Sequence, residues 1–222
     1  MIQLQKAILK TLAYGDVFDY PFTLEEIHRF LIKQNAIRNT QEEIKRELNE
    51  NPYLVSRLTY HDGFYCSRGS QKNVALRKER EKWSQKKLKI AQRVAKYLKL
   101  IPFIKMVAVT GNLAMNNAEQ KDDIDLLIVT SQNRLWLTRL LTVFLVELAA
   151  NRRRPKDQEV EDKICLNMFL AEDCLQVPEK EQDLFSAHEV CQLKPIWHKD
   201  NTYQEFITQN QWYQKFLPNW KP

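Results

Sequence analysis

Val107-Ala108-Val109-Thr110-Gly111-Asn112-Leu113-Ala114, followed nine residues later by Asp123-Ile124-Asp125-Leu126-Leu127-Ile128-Val129, decides how the chain reads. A continuous apolar run ends in a glycine, and a second apolar run opens with two carboxylates spaced i, i+2. In a strand those side chains share a face, about 7 Å apart at Cα from two strand rises. Paired carboxylates beside a turn where a ligand can approach the backbone suit a divalent cation and nucleotide phosphates. The chain has four glycines, Gly15, Gly63, Gly69 and Gly111, and Gly111 is the only one after residue 70.

Composition bounds the rest. The 222 residues suit one or two domains, and 44% hydrophobic content supports a packed core rather than disorder. A net charge of +6 weakly favours acidic partners. Cys66, Cys165, Cys174 and Cys191 are scattered without C-x-x-C spacing, which argues against a zinc site and for reduced thiols. Cys165, inside an apolar strand, reads as a core residue. No signal peptide is visible, and Leu135 to Ala150, broken by Arg139 and Glu147, is short for a membrane span. It reads as a helix buried in a core. The expectation is a cytoplasmic protein with no membrane partner.

Three regions are expected: 1–68, 69–99 and 100–222. In the first, Ala7, Ile8 and Leu12 give a helix that Gly15 and the Asp16 to Pro21 segment break. Thr23 with Glu26, and Thr40 with Glu43, have capping-box spacing for two further helices. Strands at 53–60 and 64–66 flank His61-Asp62-Gly63, a strong hairpin signal. The second region is a long basic helix, in which Lys82, Lys86, Lys87 and Arg93 are candidate nucleic-acid contacts. In the third, Asn133 opens a helix, and Arg152-Arg153-Arg154 ends it; Arg152 and Arg153 are further candidates for phosphate or RNA backbone. Ile164 to Leu170 is the next strand, with Asn167 its only polar residue. Trp197 to Trp220 reads as an aromatic-rich helix capping the core.

Thr110-Gly111-Asn112-Leu113-Ala114-Met115, then Asp122-Asp123-Ile124-Asp125-Leu126-Leu127-Ile128-Val129, resembles the signature of the DNA polymerase β superfamily of nucleotidyltransferases over roughly residues 100–175. The resemblance implies an α/β (α+β) fold, a mixed sheet flanked by helices. It implies a nucleoside triphosphate substrate with Mg²⁺ or Mn²⁺, phosphates held at Gly111 and Asn112, and Asp123 and Asp125 as catalytic metal ligands. The family's usual serine is Asn112 here, whose amide still donates to phosphate oxygen. Its third carboxylate, on a later strand, is missing. Asn167 stands nearest as a metal ligand but cannot accept a proton, and His188 is a candidate base. Residues 1–68 resemble a winged helix-turn-helix, although its third helix carries Glu42, Glu43, Glu47 and Glu50 and is net acidic, which argues against groove binding. Two functions follow as expectations. One is nucleotidyl transfer to an acceptor hydroxyl. The other is a degenerate, non-catalytic fold that binds RNA or DNA through the basic helix and the winged module.

Overall fold

The computed structural model describes residues 2–33 and 38–222. Helix α1 (Ile2–Asp16) buries Ala7, Ile8 and Leu12 at helical spacing. It ends at Asp16, within the segment expected to break it, with Gly15 still in its last turn. A side chain there would collide with Phe22 Cε2 at 2.2 Å and the Tyr20 carbonyl at 2.7 Å, so glycine permits a close approach in the last turn. Helices α2 (Leu24–Arg29) and α3 (Gln41–Glu50) begin where the capping boxes place them. Thr23 and Thr40 each accept from the backbone N–H three residues on, and Glu26 and Glu43 reach back to the cap backbone.

The expected strand from residue 53 starts later. Asn51 caps a short helix α4 (Pro52–Val55), with proline at its first position, where its missing N–H costs nothing. The hairpin then forms from β1 (Leu58–His61) and β2 (Phe64–Ser67), antiparallel about Asp62 and Gly63, both at positive φ.

Helix α5 (Lys72–Leu98) is continuous over 27 residues. After it come β3 (Ile104–Val109), α6 (Gly111–Ala114), β4 (Ile124–Thr130), α7 (Leu135–Ala149), β5 (Ile164–Ala171), α8 (Leu184–Gln192), β6 (Lys194–His198) and α9 (Thr202–Gln209). The second sheet has the order β5-β4-β3-β6, with β4/β5 parallel and the other pairs antiparallel. The architecture is therefore mixed α+β, with a two-stranded and a mixed four-stranded sheet.

Strand β6 contains Trp197, in a stretch that sequence alone assigns to a helix. Pro195 suits its edge position, because a proline there forfeits no internal ladder bond, and a register shift between Val107 and Ala108 accommodates it. The helical remainder is α9 and a 3₁₀ turn at Gln211–Lys215.

Two compact units form. One comprises Met1–Glu79, Gln182–Cys191 and Trp212–Pro222; the other comprises Arg80–Glu181 and Gln192–Gln211. In the first, Arg77 donates to Glu26 at 2.8 Å, Tyr20 donates to the same carboxylate at 2.6 Å, and the guanidinium lies 3.7 Å over the Tyr20 ring. The core of the second joins Leu88, Ala91, Val94, Ala95 and Leu98 of α5 to Val107 and Val109 of β3 and to Ile124, Leu126 and Ile128 of β4. The i, i+2 spacing of the β4 residues leaves Asp123 and Asp125 on the opposite face of that strand. No helix among the described residues is long and apolar enough to cross a membrane.

Candidate functional site

Asp123 immediately precedes β4, and Asp125 is its second residue. On the neighbouring parallel strand the register puts Cys165 beside Asp125. One oxygen from each carboxylate and the Cys165 sulfur all lie within 4.8 Å of one another. Strand β3 delivers the turn: the Thr110 amide donates to the Asp125 carbonyl at 3.2 Å, which ties the turn to the acid-bearing strand. Gly111 has φ +61°, and a side chain built there would lie 3.6 Å from Asp125 Oδ2. The room is adequate for a methyl group, so the positive φ is what favours glycine. Asn112 is exposed, and its carbonyl accepts from the Asn117 amide at 2.8 Å, closing the loop after α6.

A cation from within the chain answers the acids. Asn151 and Arg153 pair their backbones with Ile164, with N···O distances of 2.8 and 2.9 Å, along the outer edge of β5. Because Ile164 is the register partner of Ile124, this strap brings Arg153 to Asp123, and its guanidinium donates to Oδ2 at 2.6 Å. The Arg153 side chain stays 43% exposed while Asp123 is 14% exposed, so the cation covers the acids from the solvent side. The flanking arginines are occupied elsewhere: Arg152 and Arg154 both pair with Glu147 of α7, at 2.8 and 3.2 Å.

Burial pushes the Asp125 carboxyl above its ordinary range. A hydrogen bond from the Cys165 thiol opposes that shift, the Asp123 charge adds to it, and Arg153 offsets it in part. Burial and the neighbouring carboxylates push the Cys165 thiol up to about 12, so the sulfur keeps its proton at neutral pH. The site thus holds a poorly solvated carboxylate next to a second one. That arrangement favours a cation over both, and perturbed groups of this kind concentrate at functional sites. Two carboxylate oxygens fit a hard divalent cation, whose remaining positions water and phosphate oxygens would fill.

Sequence reasoning singled out Gly111, Asp123 and Asp125, and the structure brings these three together. Asn167 is exposed on β5 and lies across from neither acid. A register shift between Asp125 and Leu127 sets two β5 residues, Leu166 and Asn167, against Leu126 alone, so the partner of Asp125 is Cys165. Cys165, read as a core residue, and Arg153, read as a nucleic-acid contact, instead border the acids. The bulge that decides this leaves no mark in composition or periodicity, and a lone cysteine in an apolar strand signals only packing.

Lys87 is not available to nucleic acid. It is 1% exposed, and its ammonium donates to the carbonyls of Gln120 and Asp122, both at 2.8 Å, and to Asp162 at 2.7 Å. It anchors the loop that leads into Asp123. Lys82, Lys86 and Arg93 are exposed on the same helix. His188 belongs to the other unit, stacked at 4.1 Å on Tyr14, where burial pushes its imidazole down to about 4.

Comparison of the chain with protein-family models, with curated proteins and with solved structures finds no match.

Proposed function

We propose that the chain is a nucleotidyltransferase-like protein that binds a nucleoside triphosphate and a divalent cation, Mg²⁺ or Mn²⁺, at Asp123 and Asp125. The supporting observation is the juxtaposition of the two acids with the glycine turn. Gly111 lets phosphate oxygens approach the backbone, and the Asn112 amide donates to them. A bound divalent cation supplies charge neutralisation on the α-phosphate and the departing pyrophosphate. Asp125, held in a half-buried setting, is a carboxylate that gains more from that cation than a solvated one. Arg153, displaced from Asp123, is close enough to pair with phosphate instead. The acceptor hydroxyl oxygen would bond to the α-phosphorus as the bond to the leaving pyrophosphate breaks, its proton passing to solvent water. The first sixty-eight residues serve in this reading as a winged-helix-like module.

The experiment is incubation of the full chain with labelled triphosphates, Mg²⁺ or Mn²⁺, and RNA, DNA and protein acceptors. Transfer that vanishes in both Asp123→Ala and Asp125→Ala supports the reading. Transfer unchanged in both variants removes it.

A second reading, binding of nucleic acid without transfer, draws on a separate feature. From Lys82 to Ala118 there is no acidic residue, while Lys82, Lys86, Lys89, Arg93 and Lys96 recur every three or four positions and are all exposed. That spacing keeps them on one helix face over about 21 Å. Next to that face runs a groove of about 570 Å³ lined by Lys89, Arg93 and Lys96 of α5, by Lys99 just after it, and by Ile196 and Trp197 of β6. Cations along a groove with an indole at its wall suit a single strand, through phosphate contacts and base stacking. Binding of a labelled oligonucleotide that weakens steeply with salt, and is lost in Lys89→Glu with Lys96→Glu, is the expected result. Salt-independent binding, or binding unchanged in that double variant, removes this reading.

A further inference from the structure

The exposed face of α7 carries an apolar row where an amphipathic helix usually carries polar side chains. Its buried row is Thr138, Thr142 and Val146. Its exposed row is Trp136, Leu140, Phe144 and Leu148, at 77%, 66%, 64% and 74% exposure, with Leu137 beside them at 42%. At 100° per residue the two rows lie on roughly opposite sides of the helix. Leu141 and Leu145 pack partly buried on the inward side beside the two threonines, and a second apolar row, which includes Trp136 and Phe144, points to solvent. Helix α7 reads from sequence as apolar on most sides and buried in a core, and the structure buries only one of its apolar sides.

The geometry points to a second copy of this chain as the occupant of that face, in a two-fold dimer built on α7. Size supports it. An aromatic side chain carries roughly 150–250 Å², so these five residues leave on the order of 600 Å² exposed per protomer. That equals the upper end of the largest patch on an ordinary monomer and most of the ~800 Å² that each partner of a standard interface contributes. Symmetry supports it further. The exposed row is evenly spaced at i, i+4 about position 142. Such ridges dock on one another at a crossing angle of about 50°. A two-fold axis across the row then sets Trp136 against the partner's Leu148 and Leu140 against the partner's Phe144, an aromatic against an aliphatic at every station. A closed, self-complementary contact of this kind would cover the row on both protomers without propagating further. The dimer stands on α7 alone and is independent of what the acid pair binds.

Sedimentation velocity of the full chain at micromolar concentrations is the test, with Leu140→Asp as the variant. Residue 140 is exposed, so the far-ultraviolet circular dichroism spectrum of Leu140→Asp should match that of the parent chain. The expected result is a dimer whose dissociation constant rises roughly tenfold or more in Leu140→Asp. A second measurement reads the pairing itself. In a Cys174→Ser background, Leu140→Cys mixed with Phe144→Cys should form the mixed disulfide faster than either alone forms its own. A monomer across the micromolar range, a dimer indifferent to Leu140→Asp, or a monomer that instead binds anionic lipid vesicles through α7 would each overturn the proposal.

Discussion

Two arginine–carboxylate pairs, one in each unit, meet opposite fates. Arg77 of the first unit is 7% exposed, stacks on Tyr20 and shares the Glu26 carboxylate with the Tyr20 hydroxyl. The Glu26 carboxylate also closes the capping box of α2. Arg153 of the second unit is 43% exposed and meets a carboxylate that adjoins a second one, with a protonated thiol beside them. Breaking a buried pair strands a charge in low dielectric, whereas a half-exposed guanidinium can leave for water at little cost. The first pair is scaffold. The second is a half-exposed charge over the acids, which the proposed reading has a divalent cation displace.

Lys87 offers the sharpest contrast inside the second unit. It holds the loop from Gln120 to Asp122 through two carbonyls, and it reaches Asp162 with its third proton. Lys87→Met should cost about 3 kcal/mol, the scale for stripping partners from a buried ionic group, and denaturant unfolding measures it. If that substitution proves nearly neutral, the loop before Asp123 is held by something else.

The first unit carries the next largest effect. His188 has a folded pKa of about 4, below its ordinary value near 6.5. The unfolded chain therefore takes up a proton that the folded one refuses. Stability is full above pH 6.5 and falls as the pH drops from 6.5 towards 4, by up to about 3 kcal/mol. His188→Phe should flatten that slope, whatever its effect at pH 7. An unchanged slope would show that the imidazole is not isolated from water in the stack with Tyr14.

The acid pair predicts a smaller effect of opposite sense. The Asp125 carboxyl is raised in the folded protein, so its ionised form costs stability at every pH above the unfolded value. Asp125→Asn should therefore raise the melting temperature of the metal-free protein, by about 2–4 °C for each kcal/mol recovered in a chain of this length. A lower melting temperature would mean that the Asp125 charge is already well compensated, and the contrast between the two units would dissolve.

Much of this was legible in the chain. The capping boxes at Thr23 and Thr40, the Asp62-Gly63 hairpin, and the run from Val107 through Gly111 to Asp125 all rest on local chemistry, and each appears at its expected position. What escaped depends on partners distant in sequence. Lys194–His198 is a strand because β3 offers it an edge. Lys87 is buried because acceptors separated from it by more than thirty residues converge on it. Cys165 reaches Asp125 through a register that a bulge resets. Helix α7 has an apolar composition, but composition does not say which of its faces the sheet will take.

The most direct test of the account is a titration of the full chain with Mn²⁺, read by water-proton relaxation, with and without a nucleoside triphosphate. The account predicts one tight site, strengthened by the nucleotide, tightened in Arg153→Gln when the nucleotide is absent, and lost in Asp123→Ala and in Asp125→Ala. Absence of a tight site, or a site that persists in both aspartate variants, would contradict it.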